Sequence, residues 1–284
     1  MIFTKEYTVT VEEELLSFLK NNVSGSKNNI KSLLTKEMVS VNNKIVTQYN
    51  YMLKVNDIVS IGARTIDSFI GKIKIVYEDN DLIVVSKPSG MLTIATEDEK
   101  DNKNTLYNVV LNYIKKKNSN ANLYVVHRLD KDTSGVLMFS KNELLRDKLQ
   151  KKWNQIARRI YYAIVYGSTK SEETLTSYLK ENDNLVSYSS KDGKLAITHY
   201  KKIKENENYS LLEIEIKTGR RNQIRVQLKE IGHPIVGDSK YGYKNKNVKR
   251  MLLHAFSLTI INPLNGETMS FESPVSSYFN DFVR

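Results

Sequence analysis

The stretch that decides the fold reads VVHRLDKDTSGVLMFSKN, residues 125–142. An apolar strand ends at Val126 and another begins at Val136, so the polar run between them reads as a loop slung between two strands. Asp130 sits within that loop, a rigid mount for a reactive carboxylate. Asp132, Thr133 and Ser134 have short polar side chains of the kind that turn a chain by bonding its backbone. A turn-making aspartate is the plainer role, and it suits Asp132 better than Asp130.

Working outward, DLIVVS (81–86), LYVV (123–126), GVLMFS (135–140) and IYYAIVYG (160–167) read as strands. KLAITHYKKI and YSLLEIEIK flank the polar run ENEN at 205–208 and form a β-hairpin with alternating faces. Helical periodicity marks TLYNVVLNYIKKK near 105–117 and NELLRDKLQKKWN near 142–154. Hairpin-joined strands with occasional helices specify an α+β domain whose sheet is mixed and largely antiparallel, not a doubly wound parallel one. This domain is expected over residues 72–284.

A second element is KTGRRNQIRVQLKEIGHPIVGDSKYG, residues 217–242. Thr218 is placed to cap a helix running to Gly232, with Pro234 as its stop. Ile224, Leu228 and Ile231 make an apolar face, while Arg221, Arg225 and Lys229 recur on the adjacent flank. Either that flank is a solvated basic stripe, or one of its arginines pairs with a carboxylate beneath.

The first 62 residues read as a separate small unit, with ARTIDSFIG (63–71) as a linker. EEELLSFLKNN carries Leu15, Leu16, Phe18 and Leu19 on a helical period, and Ile30, Leu33 and Leu34 repeat it from near Lys27. VSVNNKIV then alternates around a turn at Asn42 and Asn43, and DIVSIG closes the unit as a last strand.

Composition narrows the chemistry. Across 284 residues there is no cysteine, which excludes disulfides, thiolate metal sites and cysteine nucleophiles. His127, His199, His233 and His254 never fall at metal-ligand spacing, so no zinc is expected. No apolar run reaches membrane-spanning length and the start lacks an apolar secretory segment, so the expected location is the cytoplasm. The 43 Lys+Arg and 32 Asp+Glu leave a net charge of +11, which points to an anionic partner, nucleic acid first. Residues 1–62 hold seven lysines against six acids, so +10 lies in the rest of the chain. Arginine is scarce beside lysine, yet it clusters at Arg158–Arg159 and Arg220–Arg221, with Arg128 and Arg225 nearby, where planar bidentate donors serve anions best.

H-R-L-D-x-x-T-S-G at 127–135 resembles the signature of the RluA-type pseudouridine synthases. K-P-S-G at 87–90, R-x-Y-x-A-I-V at 159–165, G-R-x-x-Q-I-R-V at 219–226, I-G-H-P-I-x-G-D at 231–238 and L-L-H-A at 252–255 match in the family's order. The resemblance spans roughly 70–284 and implies a pseudouridine synthase domain acting on structured RNA, ribosomal RNA before transfer RNA, as a monomer without metal or cofactor. The reaction breaks the bond between ribose carbon 1′ and uracil nitrogen 1, turns the base, and joins carbon 5 to the sugar.

By the same resemblance Asp130 is the catalytic aspartate, which attacks the sugar or removes its 2′ proton, two alternatives the sequence leaves open. Developing oxocarbenium character suits an adjacent carboxylate. Arg225 is implied as its ion-pair partner, Tyr161 as the aromatic against the uracil, and Arg128 as the side chain that fills the gap left by the flipped base. Arg220 and Arg221 are expected to bind RNA. Asn222 and Gln227 stand where relatives often carry histidine, and Arg159 where lysine is common. His127 is expected to organise the loop, and His233 and His254 to serve structure.

Two helices followed by V-x-V-N-x-K-x-V resemble the S-four-like RNA-binding domain, a frequent attachment in this family. That likeness implies RNA contacts from Lys27, Lys31, Lys36 and Lys44, although Asn43 replaces the usual glycine and acidic Glu12–Glu14 stand where a base is common.

Overall fold

The computed structural model describes residues 2–23, 26–35, 38–42, 44–63, 69–70, 73–95, 104–243, 245 and 247–284. Backbone contacts divide the chain into two compact units, Met1–Ile66 and Asp67–Arg284.

In the first unit the helices Leu15–Asn22 and Lys27–Thr35 bring Leu15, Phe18, Leu19, Ile30 and Leu34 against Val39, Val41, Val59 and Ile61. The sheet is antiparallel, in the order Ile2–Thr8, Ile58–Ala63, Val39–Val41, Lys44–Ile45. Its outermost strand, Ile2–Thr8, has no alternation in sequence to mark it and owes its existence to pairing with Ile58–Ala63. Asn42 adopts φ 49° at the expected turn, accepting from the Ile58 amide and donating to Asp57, each a link an asparagine makes without leaving the left-handed region. Asn43, Lys36 and most of the expected linker (64–68 and 71) lie outside the described residues. The end of that linker is not a connection: Phe69–Ile70 is a short strand on Ile73–Glu78.

The second unit is built on one long sheet, ordered Ser187–Ser189, Glu172–Glu181, Lys194–Glu205, Tyr209–Ile216, Ala157–Tyr166, Leu253–Ile261, Ser134–Ser140, Leu82–Lys87, Ile73–Glu78, Phe69–Ile70. Among the described residues one pairing is parallel, Ser134–Ser140 with Leu253–Ile261, and the rest are antiparallel, so the sheet is mixed as its sequence reads. Side chains alternate across it. Ile75, Val85, Leu137, Phe139, Tyr161 and Ile214 share one core with Leu106, Val110 and Ile114 of the helix Leu106–Lys117, and with Ile224 and Leu228 of the helix Gln223–Glu230. Ile164 and Leu252 belong to a different cluster with Phe279 and Val283 near the C-terminus.

Two boundaries move from their sequence positions. The strand before the Asp130 loop is only Tyr124–Val125, and the strand after it begins two residues early, at Ser134. The reason is local pairing: Gly135, at φ +117°, lies so close to Leu253–Ile261 that a Cβ would stand 2.1 Å from the Ala255 carbonyl oxygen. Hence a glycine stands second in the strand, in a conformation L side chains rarely adopt.

Candidate active site

The loop carrying Asp130 is pinned from several sides. Its turn is closed by backbone, Thr133 N–H donating to the Asp130 carbonyl at 3.2 Å, and among the described residues not by the Asp132, Thr133 or Ser134 side chains as expected. Ser89 hydroxyl donates to the Asp132 carbonyl, the Gly90 amide to that of Lys131, and Thr93 hydroxyl to that of Leu129. Lys87 is fully buried and gives its three protons to three carbonyls, of Pro88, Met91 and Lys131, at 2.7–3.0 Å. Burial lowers the Lys87 ammonium to about 7, yet three acceptors converging on three donors suit the protonated form. The K-P-S-G segment therefore ties one loop to the next.

Behind the loop, Ser134 hydroxyl bonds His254 Nδ1 at 2.8 Å and accepts from Arg250 at 2.9 Å, while His254 Nε2 meets the Ser273 carbonyl. His127 Nε2 accepts the Met138 amide at 3.1 Å, extending the strand ladder by a side chain, and its ring stacks on Trp153. Burial and then the nearby Arg159 push His127 down to about 3, so it is a neutral acceptor. Both histidines organise structure.

Arg225 lies on the helix Gln223–Glu230, but Thr218 does not cap that helix. Asn222 holds the N-cap position at φ 52° without a capping side chain, because its oxygen accepts from Arg225 Nη1 at 2.8 Å instead. Thr218 donates to Gln223, whose amide in turn bonds Ile197 and Thr198, stapling the helix to the strand Lys194–Glu205. The helix is buried from Gln223 to Leu228, so of the basic flank Arg225 turns inward to a carboxylate while Arg221 and Lys229 stay exposed.

Arg225 bridges two carboxylates. Its Nε and Nη2 grip Asp238 at 2.7 and 2.8 Å, and its Nη1 reaches Asp130 at 3.2 Å. Asp238 is wholly buried and also accepts the amides of Lys240 and Tyr241. Burial opposes the charge on Asp238, but Arg225 and those amides outweigh it and hold the carboxyl below its ordinary value. Arg225 stays charged: burial opposes it too, and Asp238 and Asp130 overcome that. Asp130 keeps about a third of its side chain exposed, so it is the carboxylate of the three-part group that is open to solvent.

Tyr161 is buried in the sheet beside this group, and burial pushes its phenol up to about 12. Tyr162 points to the opposite face, against Phe256 and bonded to Glu213. Of the other expected residues, Arg128 is exposed at the loop and makes no bond among the described residues. Arg220 donates to the Leu195 carbonyl and Arg221 pairs with Glu181, so both are partly engaged. Lys27 and Lys31 are exposed on their helix in the first unit. Asp238 and Lys87 were not singled out in sequence; each closes or opens a matched motif, G-D at 237–238 and K-P-S-G at 87–90, and that position was the available signal.

A family model described as RNA pseudouridylate synthase matches residues 81–230. The chain is 32% identical to the uncharacterized RNA pseudouridine synthase YhcT of Bacillus subtilis, over 95% of this chain and 92% of that protein. It is 35% identical to ribosomal large subunit pseudouridine synthase C of Rickettsia felis, over 73% of this chain and 69% of the relative. With the protein of the same name from Buchnera aphidicola it shares 32% identity, over 90% and 88% of the two chains. Among solved structures, human RNA pseudouridylate synthase domain containing 4 matches with a TM-score of 0.60 at 21% identity, covering 72% of this chain and 90% of that one, a likeness of fold.

Proposed function

The chain belongs to the RNA pseudouridylate synthase family, and from that premise we propose that it isomerises a uridine of large-subunit ribosomal RNA with Asp130 as its catalytic carboxylate. The observation that carries the assignment is the arrangement of Asp130: a half-open carboxylate, on a loop pinned by Lys87, Ser89 and Thr93, in contact with a buried guanidinium. Glycosidic cleavage builds positive character at carbon 1′, which an anion held there stabilises whether it attacks the sugar or takes the 2′ proton. Arg225 cannot swing toward the substrate, because Asp238 holds it by two bonds; its part is to fix and balance Asp130.

Tyr161 is protonated at neutral pH and serves as the surface against which the uracil lies, with its hydroxyl as a donor. Base–aromatic stacking is worth about 1–3 kcal/mol, comparable to the few kcal/mol that extruding a base costs. Arg128, exposed and without a bond among the described residues, takes the place of the extruded base in the stack. Arg220 and Arg221 line the approach, and residues 1–62 act as an S-four-like unit whose Lys27 and Lys31 meet RNA. The ribosomal assignment rests on the two relatives whose names carry that substrate.

The test is to map pseudouridine in ribosomal and transfer RNA from cells with and without the protein. One or more large-subunit positions are expected to revert to uridine. Loss confined to transfer RNA would overturn the substrate, and no loss in any RNA would overturn the function.

A further inference from the structure

Arg159 is a buried cation without a counter-ion among the described residues. It is 5% exposed, on the strand Ala157–Tyr166 two residues before Tyr161. Its Nη2 meets only neutral acceptors, Asn154 at 3.0 Å and the carbonyls of Ile216 and Lys217 at 3.3 Å. Its Nε is buried and meets no acceptor among the described residues. No carboxylate there lies within ion-pair distance; the nearest influence, Glu215, is occupied by Arg158 and Lys217. Burying a charge is costly unless it is paired, so a fold that keeps one here leaves an anion to be supplied.

Its surroundings say which anion. Gly219 is exposed, and a Cβ there would stand 3.1 Å from Arg159 Nη1, so the guanidinium lies directly beneath a bare stretch of surface backbone. Arg220 and Arg221 follow in sequence, making the approach positive. Arg159 and Tyr161 point to the same face of their strand, about 7 Å apart, and both Arg159 and Asp130 act on the Tyr161 phenol. Within an RNA the available anions are phosphodiesters.

We propose that Arg159 is a phosphate-binding residue, its Nη1 beneath Gly219 receiving a phosphodiester next to the nucleotide whose base lies against Tyr161. This rests on the RNA-modifying reading above. Fixing the backbone one step from the reacting nucleotide sets the distance at which the base reaches Tyr161 and the sugar reaches Asp130. Arginine suits the role where lysine would give a single point charge, since a guanidinium held through one nitrogen still has donors on another.

The test uses the full chain and a synthetic RNA fragment spanning whichever uridine mapping identifies, so an error in the ribosomal assignment changes the fragment and leaves the comparison intact. Binding is measured across a series of KCl concentrations for the wild type, Arg159→Gln, Arg159→Lys and Gly219→Ala. It is then repeated with each phosphodiester replaced in turn by a neutral methylphosphonate. Arg159→Gln is expected to bind about tenfold more weakly and to lose about 0.7–0.9 from the salt slope, the loss of one phosphate contact. One methylphosphonate next to the target uridine should weaken the wild type by a similar factor and leave Arg159→Gln unaffected. Should Arg159→Gln fold poorly, Arg159→Lys keeps the slope and Gly219→Ala, pressing a methyl onto Nη1, weakens binding at the same phosphate. If every methylphosphonate affects wild type and variants alike, or the slope is unchanged, Arg159 binds no phosphate. Asp130→Asn is expected to retain the full methylphosphonate response, which separates this result from a failure of the catalytic reading.

Discussion

Arg225 holds two carboxylates, but unequally: Asp238 by two short bonds in full burial, and Asp130 by one longer bond at the edge of solvent. The division explains how one arginine is both a structural pin and a neighbour of the proposed catalytic carboxylate. Asp238→Asn removes the buried partner and is expected to destabilise the protein by roughly 3–5 kcal/mol, read by urea unfolding. Wild-type-like stability would show that Asp130 alone holds Arg225. Lys87→Met takes its donor from three carbonyls, of which that of Lys131 keeps the Gly90 amide, and is expected to cost at least about 2 kcal/mol, with turnover falling as the Asp130 loop loosens. His127 gives a pH signature. Its folded value, about 3, lies below its unfolded value near 6.5, so the unfolded chain binds the extra proton between those limits. Stability therefore rises with pH across that window and falls on acidification from about 6.5 toward 3. His127→Gln keeps an acceptor that does not ionise, and its unfolding midpoint should lose that part of the acid dependence.

At the level of elements, the parallel pair Ser134–Ser140 and Leu253–Ile261 fixes where the Asp130 loop ends. Gly135→Ala drives a methyl into the Ala255 carbonyl at a backbone angle alanine disfavours, and the expected outcome is insoluble or unfolded protein on expression. The motifs made Asp130, Tyr161 and Arg225 legible, because their spacing in sequence is tied to loop, strand and helix. The strands Leu82–Lys87 and Tyr209–Ile216 were legible too, the first from a run of buried apolar residues and the second from its alternation. Glu172–Glu181 was not: only Leu175 and Leu179 are buried in it, and its other face carries Glu172, Thr174, Thr176, Tyr178 and Lys180. Short strands such as Met52–Leu53, paired with Glu13–Glu14, exist through partners distant in sequence and leave no periodicity to read. Thr218 misled because a hydroxyl before a helix resembles a cap, whereas tertiary contact with Gln223 claimed it.

Across the whole molecule, charge is concentrated in the catalytic region, where +10 of the +11 resides. RNA affinity should follow that distribution. Charge reversal at Lys27 and Lys31 is expected to weaken RNA binding less than charge reversal at Arg220 and Arg221, by titration at one fixed salt concentration, and the opposite order would place the main grip on the first unit. The same reasoning separates holding RNA from changing it, since Asp130 is an anion and contributes nothing to phosphate binding. The most direct measurement is pseudouridine formation by Asp130→Asn alongside its RNA affinity. The expected result is no detectable product, with affinity within a few-fold of the wild type. Turnover at the wild-type rate in that variant would contradict a carboxylate mechanism at this site.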